Sequence, residues 1–399
     1  MRSSGGRGGG AVRQETLREH NLSLIARTVM TAPTPPSRAD VATATGLTRA
    51  TVSRLVTELI DGGLVAEDAP LTAGAAGRPA IPLRPATGTV GALGLEVNID
   101  YLAARVLDLS GRVLAEATRE RDLRGSDPGP VLSELGTLGI EIADTATAGG
   151  IRLAGTGLAL PGLLRDDVLL LAPNLAWTAV TPAALLGGPI PGGRLHLGNE
   201  ARFAAGAELA AGSATDSFLY LSGSVGIGAA IVHGGEIFAG EHGWSGELGH
   251  VCVDPAGDTC RCGATGCLET YAGSAALLRR AGLPEGARPP DLVDALAAAD
   301  PGALAAVHSA ARALGTAVGA FINLVDVSEV VLGNSFAPLT EYLRPELERE
   351  LTVRVLASRW APPQVRASVA GDRPALTGAA RAALAGVTED PSAWLSRAR

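Results

Sequence analysis

The chain has 399 residues, 46% of them hydrophobic, enough to bury the cores of two or three domains. Its net charge of -8 argues, over the whole length, against a nucleic-acid binder, and four cysteines in so long a chain exclude a disulfide framework. No uninterrupted apolar run reaches 18 residues and the first ten carry no apolar core, so neither a membrane span nor export is expected, but a cytoplasmic protein with reduced thiols.

The charge is uneven. Residues 1 to 90 hold ten arginines against seven acids, whereas the remainder hold 23 against 34, so the front end alone can face phosphate. Its first twelve residues, rich in Gly, Ser and Arg, are expected to be a disordered tail. From Gln14 to Thr31 the pattern is helical, with Leu17, Leu22, Leu24, Ile25 and Val29 available to an inner face, and the prolines at 33, 35 and 36 end it. Ser37 with Asp40 three residues on forms a capping box for a helix to Thr45; Gly46 stops that helix, and Thr48 caps the next, from Arg49 to about Asp61.

That spacing is a helix-turn-helix whose core is Val41, Ala42, Leu47, Val52, Leu55 and Leu59. In such a motif the second helix leads into the major groove, here with Thr48, Arg49, Thr51, Ser53 and Arg54 as its polar face. Gly62 to Val65 turns into a short strand and Ala80 to Leu83 can return antiparallel to it. The intervening Leu71 to Arg78 is then a wing tip that brings Arg78 to phosphate or the minor groove. A winged helix-turn-helix domain over 13–85 follows, with Pro82, Pro85 and Gly88 as a semi-rigid linker.

Beyond the linker, strands alternate with helices. Residues 90–109 read as strand and hairpin, 153–161 as a strand, 195–197 as a short strand leading into a helix that contains Glu208, and 218–232 as strand, glycine turn and strand.

Between Gly243 and Glu269 lie all four cysteines, His250 and two more glutamates, Glu247 and Glu269. His250, Cys260, Cys262 and Cys267 make a complete tetrahedral set of the kind that holds a structural Zn2+ in a loop over 250–267. Cys252, in the Val251-Cys252-Val253 alternation, reads instead as a core or sheet position. Folding this loop around a metal can bring Glu247 and Glu269 to one wall of a cleft. The free ring nitrogen of His250 can then join them in binding vicinal sugar hydroxyls.

Gly246-Glu247-Leu248-Gly249-His250 followed by Cys-X-Cys-Gly-X-X-Gly-Cys-X-Glu from Cys260 to Glu269 resembles the signature of the ROK family of sugar kinases and sugar-responsive repressors. The resemblance runs from about residue 89 to 387 and implies zinc on His250 and the three cysteines, and sugar on Glu247, His250 and Glu269. It also implies a two-lobed actin-like ATPase fold for that α/β domain. The Gly77-Arg78-Pro79 segment resembles the winged domain of the family's repressors.

The departures from the family's kinases are equally specific. Their Asp-X-Gly-Gly-Thr phosphate loop is Glu96-Val97-Asn98-Ile99-Asp100 here, without glycines and with two acids that would face a polyphosphate, although Asp100 also suits a plain turn. Their Asn-Asp-X-Asn is Asn199-Glu200-Ala201-Arg202: the sugar-binding asparagine stays, the catalytic aspartate becomes the longer Glu200, and Arg202 adds a charge that can pair with nearby acid. Val225 stands where a threonine supports phosphate and Asn334 where a glycine is usual. The segment 172–177 resembles the loop beside the sugar pocket, where Asn174 and Trp177 offer an amide and an aromatic wall or simply pack an ordinary loop. His242 can approach the sugar loop but is expected rather to face solvent.

After the loop, 292–320 reads as helix broken near Pro301, 330–332 as a strand, 339–360 as helix, 364–369 as a strand and 376–384 as a final helix, leaving 388–399 as a tail. These readings imply a sugar-responsive DNA-binding regulator, a repressor and not an enzyme, that binds operator DNA as a homodimer or tetramer. An active sugar kinase with an attached DNA-binding domain is the alternative; docking to another protein would leave no visible signature.

Overall fold

The computed structural model describes residues 8–69 and 81–397. Helix α1 (Gly8–Met30) already runs at Gly8, inside the stretch expected to be a tail, because extending a nucleated helix costs far less than starting one. Its inner face is Leu22, Ile25, Ala26 and Val29, all buried, while Leu17 turns out to water. Helices α2 (Arg38–Thr45) and α3 (Arg49–Asp61) carry the expected caps: Ser37 N–H donates to Asp40 at 2.9 Å, Gly46 turns left-handed at φ 69°, and the Thr48 hydroxyl accepts from Thr51 N–H at 3.2 Å. Strands β1 (Val65–Glu67) and β2 (Leu83–Pro85) pair antiparallel, Val65 opposite Pro85, so a return strand forms as expected and runs on past Leu83 to Pro85; Ala80 lies outside the described residues. The expected wing tip, Arg78 included, lies outside the described residues.

Two five-stranded sheets follow, built on one plan. In the first lobe β3 (Val90–Val97), β4 (Tyr101–Asp108) and β5 (Val113–Glu120) form an antiparallel meander. Helix α4 (Pro128–Ala148) returns the chain so that β6 (Arg152–Leu160) lies parallel to β3. A small sheet of β7 (Leu163–Arg165), β8 (Val168–Ala172) and β9 (Trp177–Val180), then helix α5 (Pro182–Leu185), precede β10 (Leu195–Asn199), which lies parallel to β6 and feeds α6 (Glu200–Ala210).

In the second lobe β11 (Phe218–Gly223), β12 (Ile227–His233) and β13 (Glu236–Phe238) repeat the meander. Helices α7 (Glu269–Ala272), α8 (Ser274–Arg280), α9 (Pro289–Ala297) and α10 (Pro301–Val325) lead to β14 (Glu329–Asn334), parallel to β11. Helix α11 (Thr340–Arg354) leads to β15 (Gln364–Ala367), parallel to β14. Among the described helices only α10 is long and apolar enough to cross a bilayer, and its Val307, Leu314 and Val318 are fully buried in the second-lobe core.

Helix α12 (Pro374–Glu389) closes the repeat by crossing back onto the first sheet. A Cβ on Gly378 would lie 1.8 Å from the Phe203 carbonyl oxygen, so only glycine lets α12 and α6 touch backbone to backbone. The chain then continues as α13 (Pro391–Arg397), where a tail was expected. Trp394 and Leu395 supply the reason: both pack into the apolar cluster that joins α1 and α3 to β3 and α12. The expected linker is likewise a fixed joint, since Gly88 N–H donates to Asp108, the Thr89 hydroxyl to the Gly63 carbonyl at 2.6 Å, and Arg152 to the Gly62 carbonyl at 2.7 Å.

Candidate functional site

The Gly-Glu-X-Gly-His segment is pressed against β12. Gly246 has φ 99° and a Cβ there would lie 2.2 Å from the Ala229 carbonyl oxygen, so the motif glycine sets how close Glu247 and His250 come to the sheet. Past it the chain doubles back, with Thr259 bridging Thr265 and Cys252 bridging Cys267. Cys252 is exposed and makes only that single bridge; it is not a core residue, because the segment crosses the surface instead of continuing a strand.

The hairpin brings His250, Cys260, Cys262 and Cys267 together, their donor atoms all within 4.8 Å of one another. His250 Nδ1 lies 3.8 Å from Cys260 Sγ, and Cys262 Sγ lies 3.7 Å from Cys267 Sγ. A tetrahedral ion with sulfur at about 2.3 Å requires sulfur–sulfur edges of about 3.8 Å, so the four fit a metal ion. Burial and then the neighbouring Cys262 and Cys260 thiols push Cys267 up to about 12, an arrangement that becomes favourable when a cation balances the thiolates.

With Nδ1 turned to the cysteines, His250 directs Nε2 toward Glu247, 4.0 Å from Oε2. Glu269, at the start of α7, accepts from Ile227 N–H at 3.3 Å across the β11–β12 turn. A Cβ on Gly226 would stand 2.0 Å from Glu269 Oε2 and 2.9 Å from Asn174 Nδ2, so this glycine leaves room for the two groups to converge. Glu200, the first residue of α6, is pushed up to about 8, by burial first and then by Glu96, Glu247 and Glu269. Four carboxylates therefore share one cleft between the lobes. The sequence reading missed Glu96 as a member, having placed it on a phosphate loop; it is buried on β3 and accepts from the Tyr101 hydroxyl at 2.8 Å.

Several expected roles change. Asn199 does line this region, but its Oδ1 caps α6, accepting from Ala201 and Arg202 N–H at 2.9 and 3.3 Å, and its Nδ2 donates to the Gly162 carbonyl. One amide hydrogen remains for a ligand. Trp177 is no pocket wall: it is buried, with Nε1 donating to the Ser126 carbonyl. Arg202 finds no acid; it donates to the Gly243 carbonyl at 3.3 Å and makes no ion pair with the described residues. His242 is exposed, as expected, and also borders an open cavity of about 500 Å³.

The loop after β3 is a tight turn, Asn98 N–H donating to the Tyr101 carbonyl, and both Asn98 and Ile99 are buried. Asp100 pairs with Arg124 at 3.0 Å. Val225 packs into the first-lobe core, whereas Asn334 keeps a glycine-like φ of 53°.

On α3, Thr48, Arg49, Ser53 and Arg54 are exposed and Thr51 half-buried. Arg54 is steadied by Glu58 at 2.9 Å, and Glu58 also holds Arg18 of α1. Arg38 was not singled out in the sequence, yet it ties α2 to the Ser53 carbonyl and to Glu67 at 2.7 and 3.0 Å and so sets the pose of α3.

A model of the ROK family matches residues 92–385, and a model of the IclR helix-turn-helix domain matches 25–69. The chain belongs to the ROK family. It is similar to a putative xylose repressor of Caldicellulosiruptor sp. Rt8B.4, 28% identical over 91% of this chain and 94% of that one. Among solved structures it resembles a ROK family transcriptional regulator, a homologue of the E. coli MLC protein, with TM-score 0.77, 26% identity, and 96% of this chain and 99% of that one covered. A ROK glucokinase from Streptomyces griseus, solved with glucose and AMPPNP, covers 74% of this chain and all of its own at TM-score 0.63 and 25% identity. The ROK regulator thus matches across the helix-turn-helix as well as the two lobes, and the ROK kinase across about three quarters of the chain.

Proposed function

We infer that this chain is a sugar-responsive transcriptional repressor. The observation that carries the reading is the fusion itself: an exposed recognition helix is packed, through one apolar cluster, onto a domain whose cleft gathers hydroxyl-binding side chains. The two units are residues 13–85 and 89–387. Double-stranded operator DNA meets Thr48, Arg49, Thr51, Ser53 and Arg54, with Arg78 on the wing. A saccharide lies among Asn174, Asn199, Glu200, Glu247, His250 and Glu269. Carboxylates there accept from its hydroxyls, and a protonated Glu200 or an amide donates to them.

Zn2+ is the ion for His250, Cys260, Cys262 and Cys267; its chemistry here is structural, four protein ligands leaving no open position. Holding Nδ1 aims the other edge of His250 at the cleft beside Glu247. The protein acts in the cytoplasm as a homodimer or tetramer, because paired recognition helices about 34 to 36 Å apart match two half-sites. Relatives named as xylose repressors support this reading.

A sugar kinase with an attached DNA-binding domain is the second reading, favoured by the glucokinase likeness. Against it stands the turn after β3, where the buried Asn98 and Ile99 stand in place of the glycines that let backbone amides approach phosphates closely.

Selection of DNA from a random pool by the purified full chain, followed by gel shifts with and without monosaccharides, tests the proposal. One enriched pseudo-palindrome and a sugar-dependent change in its affinity are expected; no enriched sequence overturns it. Steady phosphorylation of the effector sugar from MgATP, at about 1 to 100 per second, would put the kinase first.

A further inference from the structure

Beside the carboxylate cleft lies a cavity of about 500 Å³, within the size range of small-molecule sites, and the carboxylates alone do not explain it. Its walls include Arg165, Asp167, Asn199, Arg202, Glu241 and His242. Asn199 belongs to both spaces, so a molecule held by Glu247, His250 and Glu269 can continue past it.

The charges of this cavity are not equivalent. Asp167 and Glu241 sit exposed on its rim, where water screens them, and Glu241 already lies 4.0 Å from His242. Arg165 has Asp166 at 3.9 Å and the Trp244 ring at 5.5 Å. Arg202 lies deeper, half-buried in the first turn of α6, and among the described residues its guanidinium donates only to one backbone carbonyl, that of Gly243. Burial lowers its pKa and no carboxylate offsets that cost. A guanidinium is a rigid fork of donors matched to the paired oxygens of a carboxylate or phosphate, and at this depth such a partner is worth more than in water.

We propose that the cavity is an anion subsite and Arg202 its specificity determinant, so that the effector is an acidic sugar, carrying a phosphate or carboxylate, rather than a neutral one. The inference rests on the reading of the cleft as an effector site. It also accounts for the sequence: Arg202 stands where the family's kinases carry a neutral asparagine.

The test is calorimetry on the zinc-loaded full chain with matched probes: glucose, glucose 6-phosphate and glucuronate; N-acetylglucosamine, mannose and galactose with their 6-phosphates; xylose with xylose 5-phosphate; and inorganic phosphate alone. In at least one set an acidic member is expected to bind about tenfold or more tighter than its neutral parent. The phosphate and glucuronate arms identify which anion is read. Arg202→Asn is expected to collapse that ratio toward one and Arg202→Lys to retain part of it, both with native melting temperatures. Should Arg202→Asn unfold, Arg202→Lys carries the comparison. Neutral sugars binding as well as or better than their acidic partners overturns the subsite while leaving the effector cleft intact. An acidic preference that survives Arg202→Asn overturns Arg202 as its determinant. Inorganic phosphate binding as tightly as any sugar phosphate marks a plain anion site and overturns the effector assignment. Failure of every probe at millimolar concentration sinks the sugar reading itself, and the subsite with it.

Discussion

Leu395, near the end of the chain, occupies the space beside Gly62 at the end of the recognition helix: a Cβ on Gly62 would lie 1.9 Å from Leu395 Cδ2. Around this contact Arg152 donates to the Gly62 carbonyl while stacking over Trp394 at 4.9 Å, and Arg18 reaches Ser392 at 3.3 Å. Helix α13 continues α12, which touches α6, and α6 begins with Glu200 in the cleft. A displacement of α6 therefore has a packed route to the DNA-binding helices.

Leu395→Ala is expected to cost about 2 kcal/mol, the low end for a large-to-small core change because Leu395 is only half-buried. Truncation after Asp390 should leave sugar binding in place and bring the ratio of operator affinities with and without sugar close to one. Urea denaturation measures the first and gel shifts the second. A truncated protein that still responds fully to sugar removes α13 from the route.

The metal prediction is simpler. Elemental analysis should find about one zinc per chain, and Cys260→Ser should lose it and melt at a lower temperature. Sugar affinity should fall in parallel, because His250 no longer has its ring fixed beside Glu247. A Cys260→Ser protein that keeps its zinc in full would disprove the four-ligand site.

Legibility in the sequence followed distance along the chain. The Ser37–Asp40 capping box, the Gly46 turn and the His250/Cys260/Cys262/Cys267 set are local patterns, and the structure places all of them as read. What could not be read was decided by partners far away. Arg18 and Ser392, 374 residues apart, fix a helix where the terminal sequence suggests a tail. Glu96 joins Glu200 only because β3 and α6 meet at the cleft. Trp177 looks the same in sequence whether it lines a pocket or seals the core, and the Ser126 carbonyl that decides it is 51 residues upstream. Gly226, Gly246 and Gly249 are plain in the sequence, but what approaches each, Glu269 and Asn174 or the β12 carbonyls, depends on the sheets.

For the DNA-binding face, Arg49→Ala and Arg54→Ala are expected to weaken operator binding without changing sugar affinity. Arg49 makes no hydrogen bond or ion pair with the described residues, and Arg54 is presented by Glu58. Loss of a phosphate contact should lower the salt slope by about 1 on every DNA, whereas loss of a base contact should relax one position by about 1 to 3 kcal/mol. Gel shifts across a salt series separate the two, and unchanged binding in both variants refutes the recognition face.

The cleft also sets a dependence on pH. Glu200 is pushed up to about 8 from an ordinary value of 4.5, by burial and by Glu96, Glu247 and Glu269. Between those values the folded protein holds a proton on Glu200 that the unfolded chain has released. Stability from this group is therefore present at low pH and is lost as pH rises toward 8. Glu200→Gln keeps a neutral side chain of similar shape and has no proton to lose. The zinc-loaded variant's advantage in melting temperature should grow as pH rises from 6 to about 8 and level off above that, where Glu200 is ionised in both folded and unfolded states. Using the difference between the two proteins cancels the titration of groups elsewhere in the chain. A difference that stays flat from pH 6 to 8.5 means that Glu200 is ionised throughout and that its neighbours do not crowd it as the geometry requires.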